Sequence, residues 1–499
     1  MEWEIVMGLE VHVELATKTK IFCSCTTEFG GAPNTHCCPV CTGMPGTLPV
    51  LNRKVLEYAV RAGLALNCEI NRYNKFDRKN YFYPDLPKAY QISQLYLPFA
   101  HDGRVTVEYE QEKLVEVEKN GKIVKEKQTE IVRKDIGIHE IHMEEDAGKL
   151  IHSKTKNQSY PDYNRCGVPL IEIVSEPDFR RSEEVIAYLN KLRSTLEYLG
   201  ISDCRMEEGS MRADVNLSVR PKGSDKFGTR TEMKNINSLK AIERAIAYEA
   251  KRQIEILESG GEIIQETRRW DENRDKTFSM RSKENANDYR YFPEPDIPPI
   301  SITEAEIDHY NSIRPEFAEE KAVRYQSEFG LTKKDAEIIV ASKHLAKLFE
   351  DVVAKCGDAA ETRYWMMSQV LYFMNERNIR PEDIKLSADK FAQFIGIVKA
   401  GRINRQIGKT VFENMFFGDD SFDVEAYIKE NDLEQVDDSS LIEETVKKVI
   451  AANPKAVEQY KSGQKKITGF FIGQVMKTLG GKANPGVVGK AVNEELAKL

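Results

Sequence analysis

The sequence predicts an α+β protein: an antiparallel-sheet domain, then an all-α helical domain and a small all-α tail. Three observations carry this. Up to about residue 295, short segments with period-2 alternation outnumber helical stretches. Pro293, Pro295, Pro298 and Pro299 then fall within seven residues, and proline neither continues a helix nor sits in a central strand. Beyond them the apolar spacing turns helical. The expected boundaries are 1–295, 296–404 and 405–499.

In the first domain, Gly8-Leu-Glu-Val-His-Val-Glu-Leu alternates as a strand, so Glu10, His12 and Glu14 share one face of the pleat. Three such side chains where core is expected suggest a metal or catalytic wall. The segment 113–125 reads as a hairpin turning at Asn120-Gly121, where both residues tolerate positive φ. A helix is expected from Ser182, as N-cap, to Leu199, stopped by Gly200. Another spans Leu239 to Leu257, ended by Ser259-Gly-Gly261. In the second part Thr332 caps a run from Lys333 to Lys355, followed by helices over Arg363–Asn378 and Ala388–Ala400.

Composition narrows the class. At 499 residues the chain has room for about three domains of roughly 150 residues. It is 41% hydrophobic and 30% charged, ordinary for a globular protein with a large core. The acidic start, Met1-Glu-Trp-Glu, lacks the basic region and apolar run of a secretory signal, and no segment approaches ~18 uninterrupted apolar residues. Five of the nine cysteines lie between positions 23 and 41, which does not resemble a disulfide framework, so a reducing cytoplasm is the expected location. The net charge of −8 argues against a basic coat for nucleic acid. From residue 450 onward, however, eight lysines face three acids. Such an end is either a nucleic-acid contact or a solvated surface.

Four thiols, Cys23, Cys25, Cys38 and Cys41, form two close pairs with twelve residues between the pairs. Four sulfurs are the ligand number of a closed tetrahedral zinc site, which leaves no position for water and therefore reads as structural. Cys37 is a fifth thiol that could replace Cys38, and buried free cysteines are the alternative. His142-Met-Glu-Glu-Asp146 sets Glu144 and Glu145 before Gly148; adjacent carboxylates repel unless a cation lies between them, although a solvated acidic turn has the same sequence. Asp214 and Glu232 lie in strand-like contexts flanked by basic and amide groups. Arg78, Lys79, Tyr81, Tyr83, Lys88 and Tyr90 interleave cations with rings, a composition suited to phosphates and stacked bases, or to a buried loop pinned by prolines.

The opening Gly8–Leu15, the run Phe76-Asp-Arg-Lys-Asn-Tyr-Phe-Tyr-Pro-Asp-Leu-Pro-Lys-Ala-Tyr-Gln-Ile-Ser93 and His142-Met-Glu-Glu-Asp-Ala-Gly-Lys149 closely resemble one family. Pro169-Leu-Ile-Glu-Ile-Val-Ser-Glu-Pro-Asp178 and Asp288-Tyr-Arg-Tyr-Phe-Pro-Glu-Pro-Asp296 resemble it too. The family is the B subunit of the heterotrimeric aspartyl/glutamyl-tRNA amidotransferase, and the resemblance covers essentially the whole chain.

It implies a ligase of protein biosynthesis. ATP would phosphorylate the side-chain carboxylate of glutamate misattached to tRNA(Gln), or of aspartate on tRNA(Asn). Ammonia from a partner amidase A subunit would then displace phosphate, with a small C subunit joining the two. By the same resemblance Glu10, His12, Glu145, Asp214 and Glu232, with Glu144 and Glu172 as further members, would form one Mg²⁺ site. Residues 1–295 would be the catalytic cradle, and Arg78 to Tyr90 would receive ATP or the tRNA end. Cys23, Cys25, Cys38 and Cys41 match a zinc knuckle that some members carry. Lys465, Lys466, Lys477 and Lys482 would be tail contacts to tRNA. Neither a Gly-x₄-Gly-Lys-Ser/Thr loop nor a Gly-x-Gly-x-x-Gly turn is present, so ATP needs another cradle. Two other classes compete: a zinc-stabilised tRNA-binding subunit without chemistry, and a free-standing metal-dependent hydrolase.

Overall fold

In a computed structural model the protein is described over residues 2–119, 122–153, 155–282, 289–435 and 439–499. The chain folds as two compact units, Met1–Phe317 and Ala318–Leu499.

The first unit is built on a nine-stranded sheet. Its strands are β1 (Trp3–Glu14), β2 (Glu69–Ile70), β3 (Ala100–Lys119), β4 (Lys122–Glu145), β5 (Pro169–Ser175), β6 (Met211–Pro221), β7 (Thr231–Lys234), β8 (Glu266–Asp271) and β9 (Lys276–Ser282). Their spatial order is β9-β8-β7-β6-β1-β5-β4-β3-β2, which places β1 at the centre. The sheet is antiparallel, as expected, with one parallel pair, β7 and β8. Helix α3 (Leu239–Glu258) supplies the crossover that a parallel connection requires. The strands β3 and β4 pair from Ala100↔Ile141 to Lys119↔Lys122; the expected turn at Asn120-Gly121 lies outside the described residues.

The two faces of the sheet differ. Leu9, Val11 and Val13 of β1, Ile171 and Ile173 of β5 and Ala213 and Val215 of β6 are buried on one face. Helices α1 (Arg53–Ala65), α2 (Ser182–Leu199) and α3 pack in this unit, α2 against β3 and α3 against β6 and β9. Each buried branched aliphatic contributes roughly 1.5–3 kcal/mol. The opposite face carries the polar residues described below.

Local signals explain most helix ends. Gly200 stops α2 in the left-handed region (φ 70°), and Ser238 caps α3 through Ala241 N. The N-cap of α2 is Arg181, not Ser182, and makes no side-chain cap bond; Glu184 in the first turn accepts from the Arg180 amide at 2.7 Å.

The second unit is helical. The expected single run from Lys333 to Lys355 is two helices, Lys333–Val340 and Lys343–Cys356, because Ser342 turns out of the helix and caps the second through His344 N. The stretch 359–377 is helical with a π turn at Met366–Val370. Trp365 there stacks on Phe412 and meets Phe394 edge-on. From Ile442 to Leu496 a separate apolar cluster forms around Val446, Phe471, Val475, Val488 and Val492. Among the described residues no helix is long and apolar enough to cross a membrane.

Candidate active site

Strand register converts residues far apart in sequence into neighbours. Directly opposed residues of an antiparallel pair share a face with Cβ atoms about 5 Å apart. On the polar face, Glu10 opposes Asp214, His12 opposes Glu172, Glu172 opposes His142, and Asn216 opposes Glu232. With Glu144, two residues beyond His142 in β4, five strands collect seven carboxylates and imidazoles.

They form two clusters rather than the single site expected. His12, Glu144 and Glu172 offer ligand atoms within 4.8 Å of one another, and so do Glu10, Asp214 and Glu232. The clusters adjoin: His12 Nδ1 lies 3.3 Å from Glu144 and 3.9 Å from Glu172, while its Nε2 lies 3.9 Å from Asp214. Burial disfavours a charged imidazole, but Glu172 and Glu144 outweigh it and raise His12 to about 9. His12 Nδ1 is nonetheless buried without an aligned hydrogen-bond partner. One nitrogen and two buried carboxylates with an unsatisfied donor set are what a divalent cation completes, so these residues fit the metal that the resemblance implies.

His142 Nε2 lies 2.6 Å from Glu172, a contact that orients this carboxylate. In the second cluster Glu10 is raised by burial, then by Glu172 and Glu232. Lys234 partly relieves this repulsion, bonding Asp214 and standing 3.1 Å from Glu232. Asn216 Nδ2 donates to Glu10 at 3.0 Å. Lys234 was legible in principle, since two residues after Glu232 in a strand it must share its face. His142 required knowledge of the register.

Glu145 stands apart from both clusters. Consecutive residues of a strand alternate faces, so Glu144 and Glu145 cannot serve one site. Glu145 instead pairs with Lys88 and accepts from Ile92 N at 2.9 Å. Two of the expected phosphate-binding cations are likewise committed: Lys88 to Glu145, and Arg78 to Glu294 (2.6 and 3.0 Å) and Asp296 (3.0 Å), its guanidinium 4.2 Å above the Tyr90 ring. Lys79, next to Arg78 in the short strand Asp77–Asn80, forms no ion pair among the described residues and lies 5.1 Å from the Tyr289 ring. Burial works against its charge, but Tyr291, Glu144 and Glu172 outweigh it and raise its pKa. Tyr81 meets Tyr289 edge-on, and Tyr83 is exposed.

The thiols Cys23, Cys25, Cys38 and Cys41 lie within 4.8 Å of one another and are unbridged. The backbone turns tightly through Thr42 N→Cys38 O and Gly43 N→Val40 O, both 3.1 Å. Gly43 sits at φ +68°, and a Cβ there would collide with the Lys88 side chain. Cys41 is pulled down to about 5 by its bond from Cys23. The fully buried Lys20, with Nζ 3.7 Å from Cys41 Sγ, supports the same thiolate; no sequence signal marked it. Cys37 donates to Asn34 O and stays outside the cluster. A closed four-sulfur set beside a buried lysine fits zinc.

Of the tail lysines, Lys482 pairs with Asp432 at 2.5 Å and Lys465 lies 3.8 Å from the Tyr460 ring. Lys466 and Lys477 form no ion pair among the described residues.

The first unit thus carries a sheet face whose acids form two groups that could hold a cation, and the second unit is helical. Residues 5–308 match the GatB/GatE catalytic domain and residues 347–496 match the GatB domain. The chain belongs to the GatB family. It is 53% identical over 496 residues to the B subunit of the aspartyl/glutamyl-tRNA(Asn/Gln) amidotransferase of Lachnoclostridium phytofermentans, covering 99% of each chain. Against the B subunit of Caldicellulosiruptor saccharolyticus it is 54% identical over 502 residues, covering both chains fully. Against that of Carboxydothermus hydrogenoformans it is 50% identical over 501 residues.

Proposed function

We propose that this chain activates the side-chain carboxylate of misacylated Glu-tRNA(Gln) and Asp-tRNA(Asn) within a tRNA-dependent amidotransferase. The carboxylate oxygen attacks the γ-phosphorus of ATP, giving an acyl phosphate and ADP. Ammonia then attacks the acyl carbon, and inorganic phosphate leaves. The observation that carries this reading is the pair of buried acid clusters on one sheet face, in a chain that matches its B-subunit relatives over its full length.

Phosphoryl transfer needs alignment and charge neutralisation more than covalent help from the protein. His12, Glu144 and Glu172, and separately Glu10, Asp214 and Glu232, would hold Mg²⁺. A divalent cation in these clusters would neutralise phosphate oxygens. Lys79 adds a cation beside Glu144 and Glu172 that no protein anion already holds in an ion pair among the described residues. His142 fixes Glu172, and Lys234 holds Asp214 and Glu232. Glu145 belongs with Lys88 under the cysteine knuckle, where zinc would serve as a structural pin.

No nucleophile–base pair of an amidase is recognisable in the sequence, so ammonia comes from a partner amidase subunit, with a small third subunit completing the assembly. The tail lysines, led by Lys466 and Lys477, would meet tRNA phosphates. The test is transamidation by the assembled complex on both misacylated tRNAs with free ammonia, with and without ATP. Amide formation on at least one, wholly dependent on ATP, is expected. ATP-independent amide formation, or tRNA binding without any amide, would overturn the reading, the latter in favour of a chemically inert tRNA-binding subunit.

A further inference from the structure

Position 8 is the anomaly of the central strand. Glu10, His12 and Glu14 all carry side chains into the polar face, and Gly8 precedes them in the same alternation. Glycine in a strand interior weakens it and commonly marks close approach of another group. The backbone does not demand it, since Gly8 is not among the positive-φ glycines. Crowding does not demand it either: a Cβ there would meet nothing nearer than Pro177 Cα at 3.6 Å, an ordinary contact. Gly228 is the contrast, because a Cβ there would collide with the Val219 carbonyl oxygen.

The space above Gly8 is a cavity of about 290 Å³. It opens where β5 leaves β1: their pairing ends at Glu10↔Val174, Ser175 Oγ takes the Leu9 amide at 2.8 Å, and the chain rejoins β1 only at Phe179. Pro177, Ser218 and the exposed ring of Phe227 line it. Its floor includes Glu10 and Asn216, so it runs directly into the Glu10, Asp214 and Glu232 cluster. The Asn216 amide donates to Glu10, but its Oδ1 is buried and accepts from nothing among the described residues. A buried unpaired acceptor costs about 1–3 kcal/mol, which a ligand N–H or O–H would recover. Arg230 stands at the rim and forms no ion pair among the described residues.

We propose that this cavity receives the base and sugar of the nucleoside triphosphate, with the phosphates leading toward Glu10, Asp214 and Glu232. The inference rests on the ATP reading above. A largely apolar cavity with one exposed ring suits a base, the Asn216 acceptor suits an amino or hydroxyl donor, and Arg230 suits a phosphate. Gly8 is then the residue that keeps the slot open.

The test is calorimetric binding of ATP and of inorganic tripolyphosphate to the full chain, comparing wild type, Gly8→Val and Phe227→Ala. Valine fills the slot and favours strand, so Gly8→Val should melt at or above the wild-type temperature yet bind ATP at least tenfold more weakly. Tripolyphosphate affinity should change less than threefold. Phe227→Ala, at an exposed position, keeps the test open if Gly8→Val fails to fold, and should lose ATP affinity at least threefold. Wild-type ATP affinity in a folded Gly8→Val, or in Phe227→Ala where Gly8→Val does not fold, would overturn the proposal while leaving the ATP reading intact. Equal weakening of ATP and tripolyphosphate would also overturn it. A wild-type chain that binds tripolyphosphate but not ATP would overturn both.

Discussion

The cysteine knuckle and the acid face are both groups of ligand atoms within 4.8 Å of one another, yet they are assembled in opposite ways. The knuckle draws its four sulfurs from nineteen consecutive residues, folded by short turns and one left-handed glycine. The acid face draws on β1, β4, β5, β6 and β7, and two hundred residues of chain must find register before Glu10 meets Glu232. A local site can form by itself; a register-built site is only as good as the sheet. The knuckle should therefore respond to metal removal as a matter of stability, and the acid face as a matter of chemistry.

The sharpest way to break this comparison is to remove one carboxylate from the acid face, Glu172, and the one beneath the knuckle, Glu145. Glu172→Gln should lower transamidation from free ammonia by about 10²–10³-fold or more, the scale of losing a preorganised charge contact. Glu145→Gln should lose far less, about tenfold, through release of Lys88. Equal losses in rate assays of the assembled complex would return Glu145 to the catalytic cluster.

Zinc removal should act mainly on the other region. About one equivalent per chain is expected by elemental analysis. Cys38→Ala should lower it severalfold and lower the melting temperature by several degrees, in line with a structural site that contributes folding energy. A protein with well under half an equivalent and no melting response to chelator would show the thiols to be metal-free.

A smaller effect concerns protons in the cation-free protein. His12 is raised from 6.5 to about 9, so the proton it holds between Glu172 and Glu144 stabilises the fold fully below about pH 6.5, and this contribution is lost as pH rises through 9. Glu14, raised from 4.5 to about 7 first by burial and then by Asp146, loses its own contribution below that window, between about pH 4.5 and 7. The melting temperature should fall from pH 7 to 9 without divalent cations, and His12→Asn should flatten that fall. A pH-independent melting point would remove the imidazole from between the carboxylates. Smallest is the tail: Lys466→Ala and Lys477→Ala should each reduce the salt dependence of tRNA binding by about one counterion, read as the slope of log affinity against log salt. Lys482→Ala should change it less, because Asp432 already holds that lysine.

What could be read in advance follows the same division. The four thiols of the knuckle were legible from their spacing, but Cys37 stayed open as a replacement for Cys38 until the structure set it outside the cluster, bonded to Asn34 O. The sheet-then-helix order was legible from periodicity and the proline run. The split of the acids was not: only pairing shows that His12 joins Glu144 and Glu172 while Glu10 joins Asp214 and Glu232. Strand alternation alone sets adjacent Glu144 and Glu145 on opposite faces, a signal present in the sequence, whereas the resemblance implied both in one Mg²⁺ site. That Arg78 and Lys88 are committed cations while Lys79 is not depends on Glu294 and Glu145 arriving from other segments.

The central claim is that the carboxylate itself is phosphorylated. The direct measurement uses Glu-tRNA(Gln) carrying ¹⁸O in both side-chain carboxylate oxygens, converted by the assembled complex with unlabelled ATP and ammonia. An acyl phosphate requires one labelled oxygen to leave in inorganic phosphate for every amide formed, with the other retained in the amide. Amide formed alongside unlabelled phosphate would contradict the account.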